Sequence, residues 1–160
     1  MLLLPRAELE KIHRHARETW PEECCGFLIG REGEPRAVTE ARAARNVHPD
    51  SRETRYTIDP LETLRLDREL RGTDRVHLGF YHSHPGYPPQ PSAFDLERAW
   101  SGYTYLIVAL EAREMREAQA WRLDAARARL EEEPMTVHGP QGSSMGQPCP
   151  SPGGGRHGEE

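Results

Sequence analysis

Apolar residues return at helical spacing near the start of the chain. Leu9, Ile12, Ala16 and Trp20 share one face of a helix predicted over Arg6–Thr19. Cys24 to Gly30 is a compact apolar run bracketed by Gly26 and Gly30, the pattern of a buried strand. Arg36 to Asn46 is rich in Ala and Arg, and its pattern alone suits either a helix or a strand. Tyr56-Thr57-Ile58 reads as a short strand. Asp59 then caps a helix that takes Pro60 in its first turn, has Glu62 three residues on, runs to Leu70 and stops at Gly72. In Val76 to His82 the residues Val76, Leu78, Phe80, His82 and His84 are spaced by two. On a strand all five would point to one face. Three prolines keep Gly86 to Pro91 irregular. A helix from Ser92 to about Ser101 and a buried strand from Tyr103 to Leu110 follow. Arg116 to Leu123 is its expected antiparallel neighbour, with Ala112 to Met115 in the turn.

From Pro134 onward, Pro and Gly make up 12 of 27 residues, too little apolar area to offset the entropy of ordering. The expectation is one domain over residues 1–137, then a tail over 138–160, disordered from Gly139. A formal net charge of −5 argues against a nucleic-acid-binding surface. Cys24, Cys25 and Cys149 are an odd set without a disulfide framework. Met1 to Pro5 is apolar but has no basic start and is too short for a signal peptide, and no run approaches a membrane span. A soluble cytoplasmic protein without nucleic-acid or membrane partners is expected, with a homodimer left open.

The chemistry gathers in His82-Ser83-His84-Pro85, followed after six residues by Ser92-Ala93-Phe94-Asp95. Two imidazoles on one strand face and a carboxylate form a ligand set for a catalytic zinc, with a fourth position left for water. Asp95 carries a second reading of equal weight: with Ser92 it forms the pattern of a capping box, and a carboxylate held in a first helical turn can also face a cation. Glu22 and Glu23 precede the buried run and offer a base to activate the water. Cys24 and Cys25 fit small core residues better than ligands. Pro148-Cys149-Pro150 is half of a zinc deaminase signature without its second cysteine or its glutamate, and is set aside. His13, His15, His48, His77, His138 and His157 have no partner at ligand spacing, and the H-E-x-x-H helix is absent.

The two histidines, Pro85, Ser92 and Asp95 together resemble the motif of the JAMM (MPN-plus) metalloproteases. Pro21-Glu22-Glu23-Cys24-Cys25-Gly26 resembles the segment with that family's glutamate, and Asn46, Tyr56 and Asp59-Pro60 also fall in place. The resemblance covers roughly Leu4 to Val137. It implies an α/β (α+β) fold, a mixed curved sheet flanked by helices, of MPN/JAB-like and cytidine-deaminase-like architecture, and it turns Arg36 to Asn46 towards a strand. It implies His82, His84 and Asp95 as Zn2+ ligands, Glu23 as general base with Glu22 as the fallback, and Ser92 as the side chain that holds the tetrahedral intermediate. The implied activity is hydrolysis of a peptide or isopeptide bond after the C-terminal glycines of a ubiquitin-like or sulfur-carrier protein. Only Gly102 separates the helix after Asp95 from the next strand, which favours a small carrier over a ubiquitin chain. Alternatives are a zinc-stabilised, non-catalytic interaction module and a hydrolase of another amide. An accessory role in DNA metabolism is disfavoured by the acidic charge.

Overall fold

The computed structural model describes residues 1–140; the expected disorder of the tail concerns residues that lie almost wholly outside that range. Eight strands form one mixed sheet in the order β7-β6-β5-β4-β2-β3-β1-β8. They are β1 (Leu2–Pro5), β2 (Cys25–Arg31), β3 (Arg36–Ala44), β4 (Val76–Pro85), β5 (Thr104–Glu111), β6 (Glu114–Asp124), β7 (Arg129–Glu133) and β8 (Met135–His138). Three helices accompany them: α1 (Arg6–Thr19), α2 (Pro60–Leu70) and α3 (Ala93–Arg98). No helix among the described residues is long and apolar enough to cross a membrane.

The two helices with apolar stripes cover opposite faces. Leu9, Ile12 and Ala16 of α1 pack with Leu28, Leu78, Tyr81, Leu106 and Val108. Leu66 and Leu70 of α2 pack with Cys25, Phe27, Ile29 and Ala44. Asp59 caps α2 by accepting the Leu61 N–H at 2.9 Å, which fixes the helix start as its sequence indicates.

Four expectations need correction. First, the five β4 residues do not share a face. Leu28 pairs with Gly79 and Ile29 with His77, so Leu78 is an extra residue in β4. A bulge reverses the alternation: Leu78 packs on the α1 side, whereas Phe80 packs on the α2 side. Gly79 is needed at this point, because a Cβ there would strike the Thr104 carbonyl of β5. Second, Tyr56–Ile58 is not a strand. The segment is extended but held chiefly by one side chain, Asn46, whose Oδ1 accepts the Thr57 N–H at 3.2 Å and whose Nδ2 donates to the Arg55 carbonyl at 3.0 Å. Third, α3 stops at Arg98 instead of reaching Ser101. Ala99 turns extended, and the Trp100 N–H goes to the Tyr105 hydroxyl at 2.7 Å. Fourth, the Pro/Gly-rich stretch from Pro134 is ordered and packed at its start, and its pairing reaches His138. β8 pairs in parallel with β1 from Leu2↔Met135 to Pro5↔His138, and Met135 and Val137 pack against the core.

The strands β7 and β8 are the two outer strands of the sheet, yet Pro134 alone links them. The sheet therefore curls until its edges almost meet. Inside the curl, the Arg36 guanidinium donates to Thr104 Oγ1 and to the Leu78 and Gly102 carbonyls. Thr104 Oγ1 donates in turn to Glu133 Oε1 at 3.0 Å, and Arg36 and Glu133 are both buried.

Candidate active site

The site forms where β4 leaves the core. His82 lies opposite Cys25 in the ladder, on the α2 face, and His84 follows two residues on, beyond the bulge and so on the same face. Their Nε2 atoms are 3.1 Å apart and both rings are buried. Pro85 ends the strand. The chain then crosses through the proline-rich loop to α3, which brings Asp95 back over the pair. Asp95 Oδ1 is 3.3 Å from His82 Nε2, and Oδ2 is 3.5 Å from His84 Nε2.

Both readings of Asp95 hold at once. Its Oδ2 accepts the Ser92 N–H at 2.7 Å, and Ser92 Oγ accepts the Asp95 N–H at 3.1 Å, a complete capping box. The box holds the carboxylate rigidly while Oδ1 faces the imidazoles. Ser92 Oγ is an acceptor in this arrangement, so its own proton is free for another partner.

Glu23 arrives from the opposite side. Its segment is tied down by backbone and side-chain bonds: Ser83 Oγ accepts the Cys24 N–H at 2.8 Å, the Ser83 N–H donates to the Cys24 carbonyl at 3.1 Å, and Asn46 Nδ2 donates to the Glu23 carbonyl at 3.1 Å. Asn46 thus fastens Glu23 and the Tyr56 segment with the same side chain. Glu23 Oε1 lies 3.9 Å from His84 Nε2, and Oε2 is buried without a hydrogen-bond partner. Glu22, the other acid, instead pairs with Arg52 at 3.1 Å at the surface.

Electrostatics separate the two carboxylates. Burial favours the neutral form of both. At Asp95 the His82 charge and hydrogen bond, together with the Ser92 N–H, overcome that, and hold the carboxyl well below the usual range. At Glu23 burial prevails over the two imidazoles and Tyr87, and the pKa is raised, as suits a proton acceptor. For His82, burial disfavours the charged ring, but the Asp95 carboxylate outweighs it and the pKa rises. The cysteines are core thiols: burial pushes Cys24 up to about 12 and raises Cys25 as well, and the two side chains sit in opposite halves of the core.

The donor set fits a metal ion. His84 Nδ1 is 2.6 Å from the Pro88 carbonyl, which can only accept, so the proton of the neutral ring lies on Nδ1 and Nε2 presents a lone pair. His82, His84 and Glu23 offer ligand atoms within 4.8 Å of one another, and Asp95 adds a second carboxylate. With both rings neutral, two imidazoles and two carboxylates turn lone pairs to one small volume, where a bound cation would compensate the buried negative charge.

Two side chains escaped the sequence reading in their roles here. Tyr56 stacks on His82 with centroids 4.5 Å apart, and Tyr87 stacks on His84 at 4.3 Å. In the sequence Tyr56 figures as part of a short strand and as a match to the family, without a partner. For Tyr87 the only sequence signal was an aromatic residue directly after the His-Pro-Gly turn.

The model of prokaryotic homologs of the JAB domain matches residues 5–124. The chain belongs to this family. Among relatives, a desampylase of Haloferax volcanii is 41% identical over 109 residues, 65% of this chain and 77% of that protein. A CysO-cysteine peptidase of Mycobacterium tuberculosis is 31% identical over 139 residues, 85% of this chain and 91% of that protein. The solution structure of a Desulfitobacterium hafniense protein superposes with a TM-score of 0.74 at 30% identity, covering 86% of this chain and 93% of the other. The prokaryotic JAB match spans every part of the site described above, from Glu23 to Asp95 and the strand β5 behind it.

Proposed function

We propose that this prokaryotic JAB protein is a zinc-dependent peptidase that hydrolyses the peptide or isopeptide bond after the C-terminal glycines of a ubiquitin-like sulfur-carrier protein. The convergence of His82, His84, Asp95 and Glu23 at the end of β4 carries the proposal. The substrate class is supported by the names of the relatives: the desampylase, the CysO-cysteine peptidase, and a probable TtuB-protein conjugate cleaving protease of Thermus thermophilus, 36% identical over 107 residues. His82, His84 and Asp95 would hold the zinc, two nitrogens and an oxygen being a ligand set of catalytic zinc sites. When bound, the metal polarises the scissile carbonyl and acidifies water.

The rest falls to the protein. Glu23 accepts the proton of the attacking water at its unpartnered Oε2 and passes it to the leaving amine. Ser92 donates its free hydroxyl proton to the carbonyl oxygen as negative charge develops there. A groove of about 800 Å³ leads away from Asp95 and Tyr56, walled by Phe80, Phe94, Trp100 and Tyr105. A second cavity of about 520 Å³ has Glu23 in its wall and no wall residue in common with the first. Because Glu23 must reach the leaving nitrogen, the amine departs on its side and the carrier's tail lies in the aromatic groove. Glycine suits such a tail, since an extended backbone without side chains fits a narrow cleft.

Purified protein should carry one zinc, and His82→Ala or His84→Ala should remove it; metal analysis of both variants checks this, and unchanged zinc in the pair sinks the ligand assignment. A carrier ending in Gly-Gly plus a short extension should be cut directly after the second glycine, as read by intact mass. Replacing that glycine by a bulky residue should slow cleavage by orders of magnitude. Equal cleavage of both carriers would remove the substrate assignment and leave the hydrolase.

A further inference from the structure

The loop between His84 and Ser92 holds a group that the chemistry above does not use. The Tyr87 hydroxyl donates to Glu23 Oε1 at 2.6 Å. Its ring lies nearly parallel to His84, with centroids 4.3 Å apart and 28° between planes. We propose that Tyr87 is a positioning residue for the general base: it takes one oxygen of Glu23, fixes the rotation of the carboxylate and leaves the other oxygen to accept the proton. The inference rests on the peptidase reading for its chemistry, and on geometry alone for the positioning.

Three anchors make Tyr87 a fixed support. On one side of it, the Gly86 N–H donates to the Leu110 carbonyl at 2.7 Å. On the other, the Pro88 carbonyl meets His84 Nδ1 at 2.6 Å and the Pro89 carbonyl accepts the Trp121 indole N–H at 2.9 Å. Gly86 takes φ of 87°, a conformation other residues adopt at a cost, and this turns the ring back over His84. The loop is thus held at the residues flanking Tyr87 without help from the tyrosine hydroxyl, whose one proton goes to Glu23 while the Glu53 carbonyl stands 3.5 Å away. Glu23 itself needs such a partner. A carboxylate free to turn about its last bond would present either oxygen, and the buried Oε2 has no hydrogen bond to orient it. A base displaced by a fraction of an ångström loses alignment with both the water and the leaving amine.

Tyr87→Phe keeps the ring and its stacking and removes only the hydroxyl. In the zinc-loaded protein acting on a Gly-Gly carrier extension, kcat should fall between about 10- and 100-fold, with KM and zinc content unchanged. In Glu23→Gln the same substitution should cause no further loss, because the two side chains act as one unit. Crystal structures of both proteins supply a readout independent of turnover: Glu23 should hold one rotamer in the parent and leave it, or split between two, in Tyr87→Phe. An unchanged kcat, a loss confined to KM, or a Glu23 carboxylate that stays in place without the hydroxyl would overturn the proposal. Should the parent cleave no carrier at all, the peptidase reading fails, and the Glu23 rotamer in the two crystals still decides the role of Tyr87.

Discussion

Glu23→Gln should bind zinc as the parent does, melt at the same temperature and keep only a small residual rate of carrier cleavage. The amide is nearly isosteric with the carboxylate, so the Asn46 bond to the Glu23 carbonyl and the Ser83 bond to the Cys24 N–H are untouched. What disappears is the proton acceptor, and loss of a general base costs roughly 10²–10⁴ in rate. Glu22→Gln is the matching control. Glu22 pairs with Arg52 at the surface, and an exposed pair of this kind contributes about 0–1 kcal/mol, so activity and stability should both stay near the parent values. Single-turnover cleavage of a carrier extension, with metal analysis on the same samples, checks both. If Glu22→Gln is the inactive protein and Glu23→Gln the active one, the base has been assigned to the wrong neighbour.

The largest effect on stability is expected at Arg36, far from the chemistry. Its guanidinium is buried and hydrogen-bonded to Thr104 and to the Leu78 and Gly102 carbonyls, with Glu133 Oε2 at 3.7 Å. Arg36→Met fits the volume but leaves the Glu133 carboxylate buried with less compensation. Removing one member of such a pair typically costs about 3–5 kcal/mol, which for a domain of this size lowers the thermal midpoint by on the order of 10 °C. The double variant Arg36→Met with Glu133→Leu should recover much of that loss, since no charge is then stranded. Thermal unfolding of the parent, the single and the double variant makes the comparison. A single variant that melts with the parent would show that the buried pair contributes nothing net.

How much of this was legible beforehand follows from how local each signal is. The helix over Arg6–Thr19, the cap at Asp59 and the strand in the Cys24–Gly30 run depend on neighbouring residues, and the sequence pattern found them. The residues of the site were legible for the same reason: His82 and His84 lie on one strand, and Asp95 shares a helical turn with Ser92. What stayed hidden depends on residues distant in sequence. Leu2–Pro5 is too short to show a strand pattern by itself, and its partners, beginning at Arg36 and Met135, are distant. Arg129–Glu133 shows no element in the sequence pattern, because its pairing with β6 and the burial of Glu133 cannot be inferred from its charge. The alternation rule failed in β4 because the bulge at Leu78 is set by the register with β2. Tyr87 was invisible for a similar reason: Glu23 lies 64 positions away.

The link through Pro134 has a consequence for the order of assembly. β1 lies between β3 and β8, and these are made at very different times. A chain growing from its first residue can pair β1 with β3 early, but the other edge of β1 has no partner until β8 has been made. Until then the molecule carries an open strand edge of the kind that recruits other chains, in a topology rich in distant contacts and so slow to form. Vulnerability to aggregation through β1 should therefore be greatest in the nascent chain, and fall once residue 138 is free to swing across.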